Sequence, residues 1–102
     1  PDGAKEKDFI NGCTPLHYAC EDGAQLEVVD ALLQTWPDGV KEKNDTDSTP
    51  LHMACLEGAQ LGVVAALLRV WPDGAKEKND NDCTPLHLAC DHGAPLGVVA
   101  AL

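Results

Sequence analysis

Two stretches of the 102-residue chain place cysteine and histidine at spacings that could hold a metal ion. The pattern is Cys-x-x-x-His-x-x-Cys, and its copies are Cys13, His17 and Cys20, and Cys83, His87 and Cys90. Zinc requires four ligands at about 2.0–2.3 Å, whereas one copy offers three, with His92 as a further donor in the second. Packed helices lie about 8–10 Å apart, so equivalent residues of two copies would not share one ion. The sequence therefore predicts no metal site, and a metal- or redox-responsive module stays an alternative.

The histidines of this pattern belong to a set that recurs at a fixed step: His17, His52 and His87. Each ends a Thr-Pro-Leu-His tetrapeptide and falls in the first turn of the helix that this tetrapeptide predicts. A residue that every repeat carries is usually architectural. We therefore expect each imidazole to hydrogen-bond a neighbouring arm of the chain, and not to act as a catalyst or a metal ligand.

The five cysteines form a poor disulfide framework, because their number is odd and their spacing follows the repeat. Reduced thiols in an intracellular, cytoplasmic protein are the simpler interpretation. Cys20, Cys55 and Cys90 are expected to be small buried core residues. Cys13 and Cys83 are expected to be exposed and open to oxidation.

The sequence contains no residue pattern that indicates any other catalytic chemistry. The sequence contains no nucleophile–base pair and no glycine-rich phosphate loop, and the adjacent acids Glu21 and Asp22 have no neighbour that would perturb them. The net charge of −10 disfavours nucleic acid and anionic membrane surfaces as partners. No apolar run approaches the roughly 20 residues that span a bilayer. We expect a non-enzyme that uses no cofactor.

The elements that position these residues begin at the tetrapeptide Thr-Pro-Leu-His, which starts at Thr14, Thr49 and Thr84 and so recurs every 35 residues. Threonine supplies the side-chain oxygen that an N-cap requires, and proline is favoured at the first helical position. Each tetrapeptide therefore predicts the start of a short helix. The helix should end just before Gly23, Gly58 or Gly93, because glycine commonly takes the left-handed position after a helix.

A second helix is predicted to begin near Gln25, Gln60 and Pro95. It should end near Trp36, because the residue before a proline is pushed away from helical geometry. Neither helix is long enough to be stable alone. Each unit must bury its apolar faces against the next unit, which predicts an all-α repeat solenoid forming one domain. The units are approximately 1–36, 37–71 and 72–102, the last of them truncated.

Two residue types on the second helices leave alternatives open. Trp36 and Trp71 lie on the apolar stripe, so packing in the core is favoured over a role as interface anchors. Gly62 and Gly97 lie inside a helix, where each costs about 1 kcal/mol relative to alanine. Close approach of a neighbouring backbone and tolerated sequence drift both explain these glycines.

The connectors begin with Pro-Asp-Gly, continue with Lys-Glu-Lys and are rich in Asp, Asn and Gly. Turn residues of this kind predict a short hairpin-like arm. The Lys-Glu-Lys phrase is more typical of a solvated face than of a recognition stripe.

The chain resembles the ankyrin repeat family. The pattern Thr-Pro-Leu-His-x-Ala occurs three times, a glycine follows each alanine by four residues, and the second helix reads Leu-x-Val-Val…Leu-Leu. The period departs from the usual 33 residues. The hairpin-tip glycine survives only as Gly12, and Asp47 and Asp82 stand in its place, where aspartate tolerates left-handed geometry. Both ends fall inside a repeat without polar caps, so we expect a segment of a longer array.

The resemblance implies a protein-binding role through a concave face of arm tips and first helices. Units two and three differ mostly on this same surface. Carried over residue by residue, the predicted partner-binding set is Phe9, Ile10, Asn11, Cys13, Tyr18, Glu21, Asp22, Asp45, Thr46, Ser48, Met53, Leu56, Glu57, Asp80, Asn81, Cys83, Leu88, Asp91 and His92. The set contains acids and no Lys or Arg.

We therefore expect a non-catalytic interaction scaffold whose partner is another protein with a basic surface and an apolar anchor. The chain is expected to be a monomer or to stack end to end through its uncapped repeat ends. Targeting or spacer repeats of a longer enzyme are a further alternative.

Overall fold

A computed structural model describes residues 3, 6–8, 11–56 and 60–102. Within these ranges the chain forms six α-helices and no strand. The helices are α1 Pro15–Glu21, α2 Leu26–Thr35, α3 Pro50–Leu56, α4 Leu61–Val70, α5 Pro85–Asp91 and α6 Leu96–Ala101. None of the described helices has the length and apolar character needed to cross a membrane.

The helices are arranged as a stack of pairs. In each repeat the first helix contacts the second, and equivalent helices of successive repeats pack on one another, α1 on α3 on α5 and α2 on α4 on α6. Val29, Val64 and Val98 are fully buried along the row of second helices. The predicted helical repeat stack is confirmed.

Each first helix begins as its tetrapeptide predicts. The hydroxyl oxygen of Thr14 accepts a hydrogen bond from the backbone N–H of His17 at 3.3 Å, and the imidazole Nδ1 of His17 accepts from the backbone N–H of Thr14 at 3.1 Å. Two backbone donors of the first turn are thereby satisfied by one pair of residues. Thr49 and Thr84 make the same pair of contacts with the histidines of their own repeats.

The ends of these helices also follow the sequence. Gly23 and Gly93 have φ of +72° and +69°, the left-handed conformation that glycine adopts without steric cost. The next residue closes the helix, since the N–H of Ala24 donates to the carbonyl of Ala19 at 2.9 Å. Gly58, the third glycine predicted at such an end, lies outside the described residues.

The second helices end where proline was expected to stop them, and a feature that the sequence did not predict follows. α2 ends at Thr35 and α4 at Val70, and each is followed after one tryptophan by a 3₁₀ helix, Pro37–Lys41 or Pro72–Lys76. The sequence indicated only a polar connector there, because a five-residue turn carries no apolar periodicity that would reveal it.

The tryptophans pack against the 3₁₀ helices that follow them. A Cβ atom added to Gly74 would lie 3.0 Å from Cε3 of Trp71, and one added to Gly39 would lie 3.3 Å from Cε3 of Trp36. Trp71 is half-buried against the core, and the Lys41 ammonium lies 5.8 Å from the centroid of its ring. Core packing, the favoured interpretation of the tryptophans, is confirmed for Trp71.

The connectors form turns that side chains hold in place. The Oδ1 atom of Asn44 accepts from the backbone N–H groups of Thr46 and Ser48, each at 3.0 Å. The tip residues Asp47 and Asp82 have φ of +57° and +60°, which confirms that aspartate takes the left-handed position that Gly12 occupies in the first repeat.

The glycines inside the second helices face a side chain of the preceding repeat. A Cβ atom added to Gly62 would meet Leu26 Cδ2 at 3.5 Å, and one added to Gly97 would meet Leu61 Cδ2 at 3.4 Å. These distances are ordinary van der Waals contacts with a leucine, and no neighbouring backbone atom comes as close. Close backbone approach therefore does not explain these glycines.

Replacing one of these glycines with alanine should stabilise the protein. We expect Gly62→Ala to raise the free energy of unfolding by about 0.5–1 kcal/mol, because alanine favours the helix and its methyl group fits. Gly74→Ala is the matched control, and it should lower that free energy by about 1–3 kcal/mol because its methyl group is forced against the Trp71 ring. Urea denaturation followed by circular dichroism measures both, and effects of the same sign would contradict this account.

Candidate partner-binding surface

Two of the three histidines that were candidates for chemistry, His17 and His52, are bonded through both ring nitrogens, and His87 is bonded through Nδ1 to Thr84. Nδ1 of His17 accepts from the N–H of Thr14, which assigns the ring proton to Nε2. Nε2 then donates to the carbonyl oxygen of Ser48, in the arm of the next repeat, at 2.9 Å. His52 repeats this arrangement with the carbonyl oxygen of Cys83, also at 2.9 Å. The expected hydrogen bond to the neighbouring arm is confirmed for both residues.

Burial keeps these two imidazoles neutral. Both rings are fully buried, and burial lowers the pKa of His17 and of His52 below the usual 6.5. The carbonyl acceptors and the nearby Glu42 or Glu77 oppose that shift without cancelling it, and Lys7 or Lys43 adds to it. A protonated ring would also lose its acceptor at Nδ1, so the cap requires the neutral form, whereas the Nε2–H that donates to the next arm is present in either form.

The cysteines are all free, and their exposure differs from expectation at three positions. Cys20 and Cys55 are buried as expected, and burial raises the pKa of each thiol to about 12. Cys13, which was expected to be exposed, is only 3% exposed, and burial raises the pKa of its thiol. The Asn44 amide covers it from the next arm, with Nδ2 3.4 Å from the Cys13 sulfur.

The remaining two cysteines lie in the last repeat. Cys90 was expected to be buried and is exposed, because none of the described helices covers the side of α5 on which it lies. Cys83, expected to be exposed, is half-buried. Within the described ranges, no group of three or more His, Cys, Asp and Glu side chains is placed to hold a metal ion.

The arm tips of successive repeats join into one row. The backbone N–H of Asp45 donates to the carbonyl of Asn11 at 2.9 Å, and that of Asp80 donates to the carbonyl of Thr46 at 3.0 Å. We call this row the tip surface, and it consists of residues 11, 45–47 and 80–82. Its exposed acids are Asp45, Asp47, Asp80 and Asp82.

A groove of about 220 Å³ runs between the first two arms and their helices. It is lined by Asn11, Cys13, Glu21, Asn44, Asp45, Thr46 and Met53. All of these except Asn44 belong to the set predicted from the sequence, so the structure brings together predicted residues of two repeats. Asn44 was not in the predicted set, although its amide lies beside Cys13, with Nδ2 3.4 Å from the sulfur.

The rest of the predicted set is distributed around this groove. Ser48 and Met53 are buried, Tyr18, Leu56 and Leu88 are half-buried, and Asp22, Asn81, Asp91 and His92 are exposed. The Tyr18 hydroxyl donates to the carboxylate of Asp8. Asp8 itself was not predicted, although its Oδ1 accepts from the N–H groups of Asn11 and Cys13 as Asn44 does in the next arm. Phe9, Ile10 and Glu57 lie outside the described residues.

The Lys-Glu-Lys phrases form ion pairs between repeats. Lys7 Nζ lies 3.2 Å from Glu42 Oε1, and Lys43 Nζ lies 3.2 Å from Glu77 Oε1. The side chains of Lys7 and Lys43 are 41% and 39% exposed, so each pair contributes only about 0–1 kcal/mol. These cations therefore serve the contact between repeats, and the tip surface carries no cation.

Comparison with known families agrees with this architecture. A family model described as ankyrin repeats matches three copies, over residues 2–76 and 37–102. No curated protein matches the chain.

Acidification should destabilise the protein through the buried histidines. Their folded pKa lies below the unfolded value near 6.5, so the unfolded chain binds more protons as the pH falls below that value. The contribution of the two neutral histidines to the free energy of unfolding is fully present above pH 6.5. It is lost below that pH, by up to about 1.4 kcal/mol per pH unit for each histidine. Asp8, whose pKa lies below the usual 3.8, changes its charge at a lower pH than the histidines and does not contribute to this effect. Urea denaturation at several pH values between about 7.5 and 5.5 measures the slope.

Variants assign the dependence of the free energy of unfolding on pH to particular residues. His17→Gln and His52→Gln should each flatten the dependence on pH, whatever their effect on stability at neutral pH. His92→Gln, at an exposed position, is the matched control and should leave the slope unchanged. A slope that persists in both buried variants would show that other groups cause it.

Thiol labelling should follow burial. In the native protein N-ethylmaleimide is expected to modify Cys90 fastest and Cys83 more slowly, because the reagent needs an accessible thiolate. Cys13, Cys20 and Cys55 should react only after unfolding. Peptide mass mapping over time gives the order, and rapid native labelling of Cys13 would contradict its burial beneath Asn44.

Proposed function

The chain belongs to the ankyrin repeat family, and we propose from this premise that it is a non-catalytic interaction module whose partner is a protein bound on the tip surface and the adjoining first helices. Ankyrin repeats are generally protein-interaction modules and are generally non-enzymatic. The proposed contact surface is the set of nineteen residues named from the sequence, with Asn44 added from the groove.

The observation that carries the proposal is the separation of charge. The tip surface presents four exposed carboxylates in a row that backbone hydrogen bonds hold in register. Lys7 and Lys43 are paired elsewhere with Glu42 and Glu77, and Arg69 faces Asp30 on the second helices at 3.7 Å. A basic protein surface is complementary to such a row, and the complementarity would favour fast association and a defined orientation.

Affinity would come mainly from the groove beside the row. Its walls combine carboxylates with the less polar Cys13 and Met53, so an apolar side chain flanked by Lys or Arg would fit it. Tyr18 and Leu56 are half-buried and offer further apolar contact, and Phe9 and Ile10 belong to the set predicted from the sequence. Buried apolar anchors surrounded by a polar rim are the usual source of interface energy.

We also propose an intracellular location. All five cysteines are free, and Cys20 and Cys55 have thiols whose raised pKa of about 12 keeps them protonated. Free thiols without a disulfide framework are typical of reducing compartments.

Removing two charges from the row should weaken binding. A partner captured from lysate and then purified is titrated against the wild type and against Asp45→Asn with Asp80→Asn. We expect the double variant to bind about three- to tenfold more weakly and to show less dependence on salt between about 50 and 300 mM. Calorimetry or fluorescence anisotropy measures both quantities.

The control removes the same number of charges elsewhere. Asp38→Asn with Asp73→Asn changes exposed acids of the two 3₁₀ helices and should leave affinity and its salt dependence near the wild-type values. Equal losses in the two double variants would indicate a general effect of net charge. No loss in the tip variant would place the binding surface elsewhere.

A further inference from the structure

The three arms contribute unequally to the charge of the tip surface. The second and third arms supply its four exposed carboxylates, whereas the first arm supplies the neutral amide of Asn11. Asn11 is itself exposed, and its backbone carbonyl accepts from the N–H of Asp45 at 2.9 Å. Position 11 therefore lies in the same row as the acids and lacks the charge that they carry.

Asn11 differs from the other asparagines in the residue that follows it. Asn11 precedes Gly12, whereas an aspartate follows each of the others, which are Asn44, Asn79 and Asn81. Gly12 has φ of +67°, and a Cβ atom added to it would lie 2.5 Å from Oδ1 of Asp45. The fold therefore favours glycine at position 12, and the backbone nitrogen there has no side chain beside it.

Hydrogen bonds restrain two of the other asparagine side chains. Oδ1 of Asn44 and Oδ1 of Asn79 each accept from two backbone N–H groups of their own arm, at 3.0 Å. A backbone nitrogen can attack a side-chain carbonyl only when the two atoms approach to about 3–3.5 Å in a suitable orientation, and these bonds oppose the rotation that this requires. No described backbone N–H restrains Asn81 or Asn11 in this way, and the Asn11 amide instead approaches the Tyr18 hydroxyl.

We propose that Asn11 is a site of spontaneous deamidation, through which the tip surface gains a negative charge in its first arm. The backbone nitrogen of Gly12 attacks the side-chain carbon Cγ of Asn11, and a bond forms between these two atoms. The Cγ–Nδ2 bond breaks, and the amide nitrogen leaves as ammonia with the proton of the Gly12 N–H. Water then opens the five-membered imide at either of its carbonyls, which leaves aspartate or isoaspartate at position 11.

The two products add the same charge beside Asp45 and differ in the backbone. In the aspartate form, the carbonyl that accepts from the N–H of Asp45 stays in the main chain, so the contact between the first two tips is kept. In the isoaspartate form the main chain runs through Cβ, which lengthens it by one atom at this contact. The aspartate form therefore extends the acid row to the first arm in register. This consequence rests on the proposed function, in which the row receives a basic partner.

Peptide mass mapping of the folded protein, sampled during incubation at neutral pH, tests the proposal. We expect position 11 to gain one dalton at least about tenfold faster than Asn81, because the side chain of the residue after Asn81 hinders the attack. Asn44 and Asn79 should be slower still in the folded protein, and unfolding in urea should bring them to the rate of Asn81. Loss of the Asn11 amide no faster than that of Asn81 would overturn the proposal.

Asp82→Gly is the matched variant, because it places glycine after Asn81 at a tip position that already has φ of +60°. Glycine adopts this conformation without steric cost, and circular dichroism should show the variant folded. Asn81 should then lose its amide about tenfold faster than in the wild type. Asn11→Gln should abolish the change at position 11, since a glutamine would have to close a six-membered ring. An unchanged rate at Asn81 in Asp82→Gly would refute the assignment to the asparagine–glycine pair.

The effect of the added charge is measured with the product already in place. Asn11→Asp reproduces the aspartate form, and Gln34→Glu is the control because it makes the same change from amide to acid at an exposed position of α2. Titrated with an oligolysine peptide, Asn11→Asp should bind about two- to fivefold more tightly than the wild type, with a steeper dependence on salt, and the control should not. Equal gains in the two variants, or none in Asn11→Asp, would refute a role of position 11 in the acid row. Mass mapping needs no partner, so an amide that persists at position 11 leaves the proposed function untouched.

Discussion

The stack depends on the hydrogen bond that each buried histidine donates to a backbone carbonyl of the next arm. Through Nδ1 the imidazole of His17 completes the cap of its own helix, and through Nε2 it holds the carbonyl of Ser48 in the following repeat. The N–H of Ser48 is in turn held by Asn44, which shapes that arm. One neutral side chain therefore couples the start of a helix to the position of the next turn, and the coupling recurs from His52 to Cys83 and Asn79.

The arrangement divides the chain into residues that hold the stack and residues that it leaves free. The capping threonine, proline and histidine are the same in every repeat because each repeat needs the same cap and the same contact. The Lys-Glu-Lys phrases are constant for a related reason, since their charges face one another across the stack. Variation is concentrated at the tips and first helices, where the fold imposes least. His17, His52, Lys7 and Lys43 are thus committed to the scaffold.

Local signals made most of the fold predictable, whereas exposure was not predictable from any one repeat. Helix starts at Thr-Pro, ends at Gly23 and Gly93, and left-handed aspartates at the tips follow from the residues themselves. The burial of Cys13 and the exposure of Cys90 do not, because a neighbouring repeat covers the first and none of the described helices covers the second. Asn44 was not predicted either, because only the folded arm shows that its side chain lies beside Cys13 and lines the groove.

The stack makes no use of the charges of the acid row in the part of the chain that the structure describes, and this bears on the function of the row. Backbone hydrogen bonds between tips bring Asp45 and Asp80 into register, and among the described residues no cation forms an ion pair with them. The tips therefore contribute to the stack through these backbone hydrogen bonds and not through the charges of their side chains. Lys7 and Lys43 form their ion pairs between repeats, with Glu42 and Glu77. A basic partner would supply the missing counter-charge, and this is the physical reason for expecting complementarity at this surface and not at the ion-paired one.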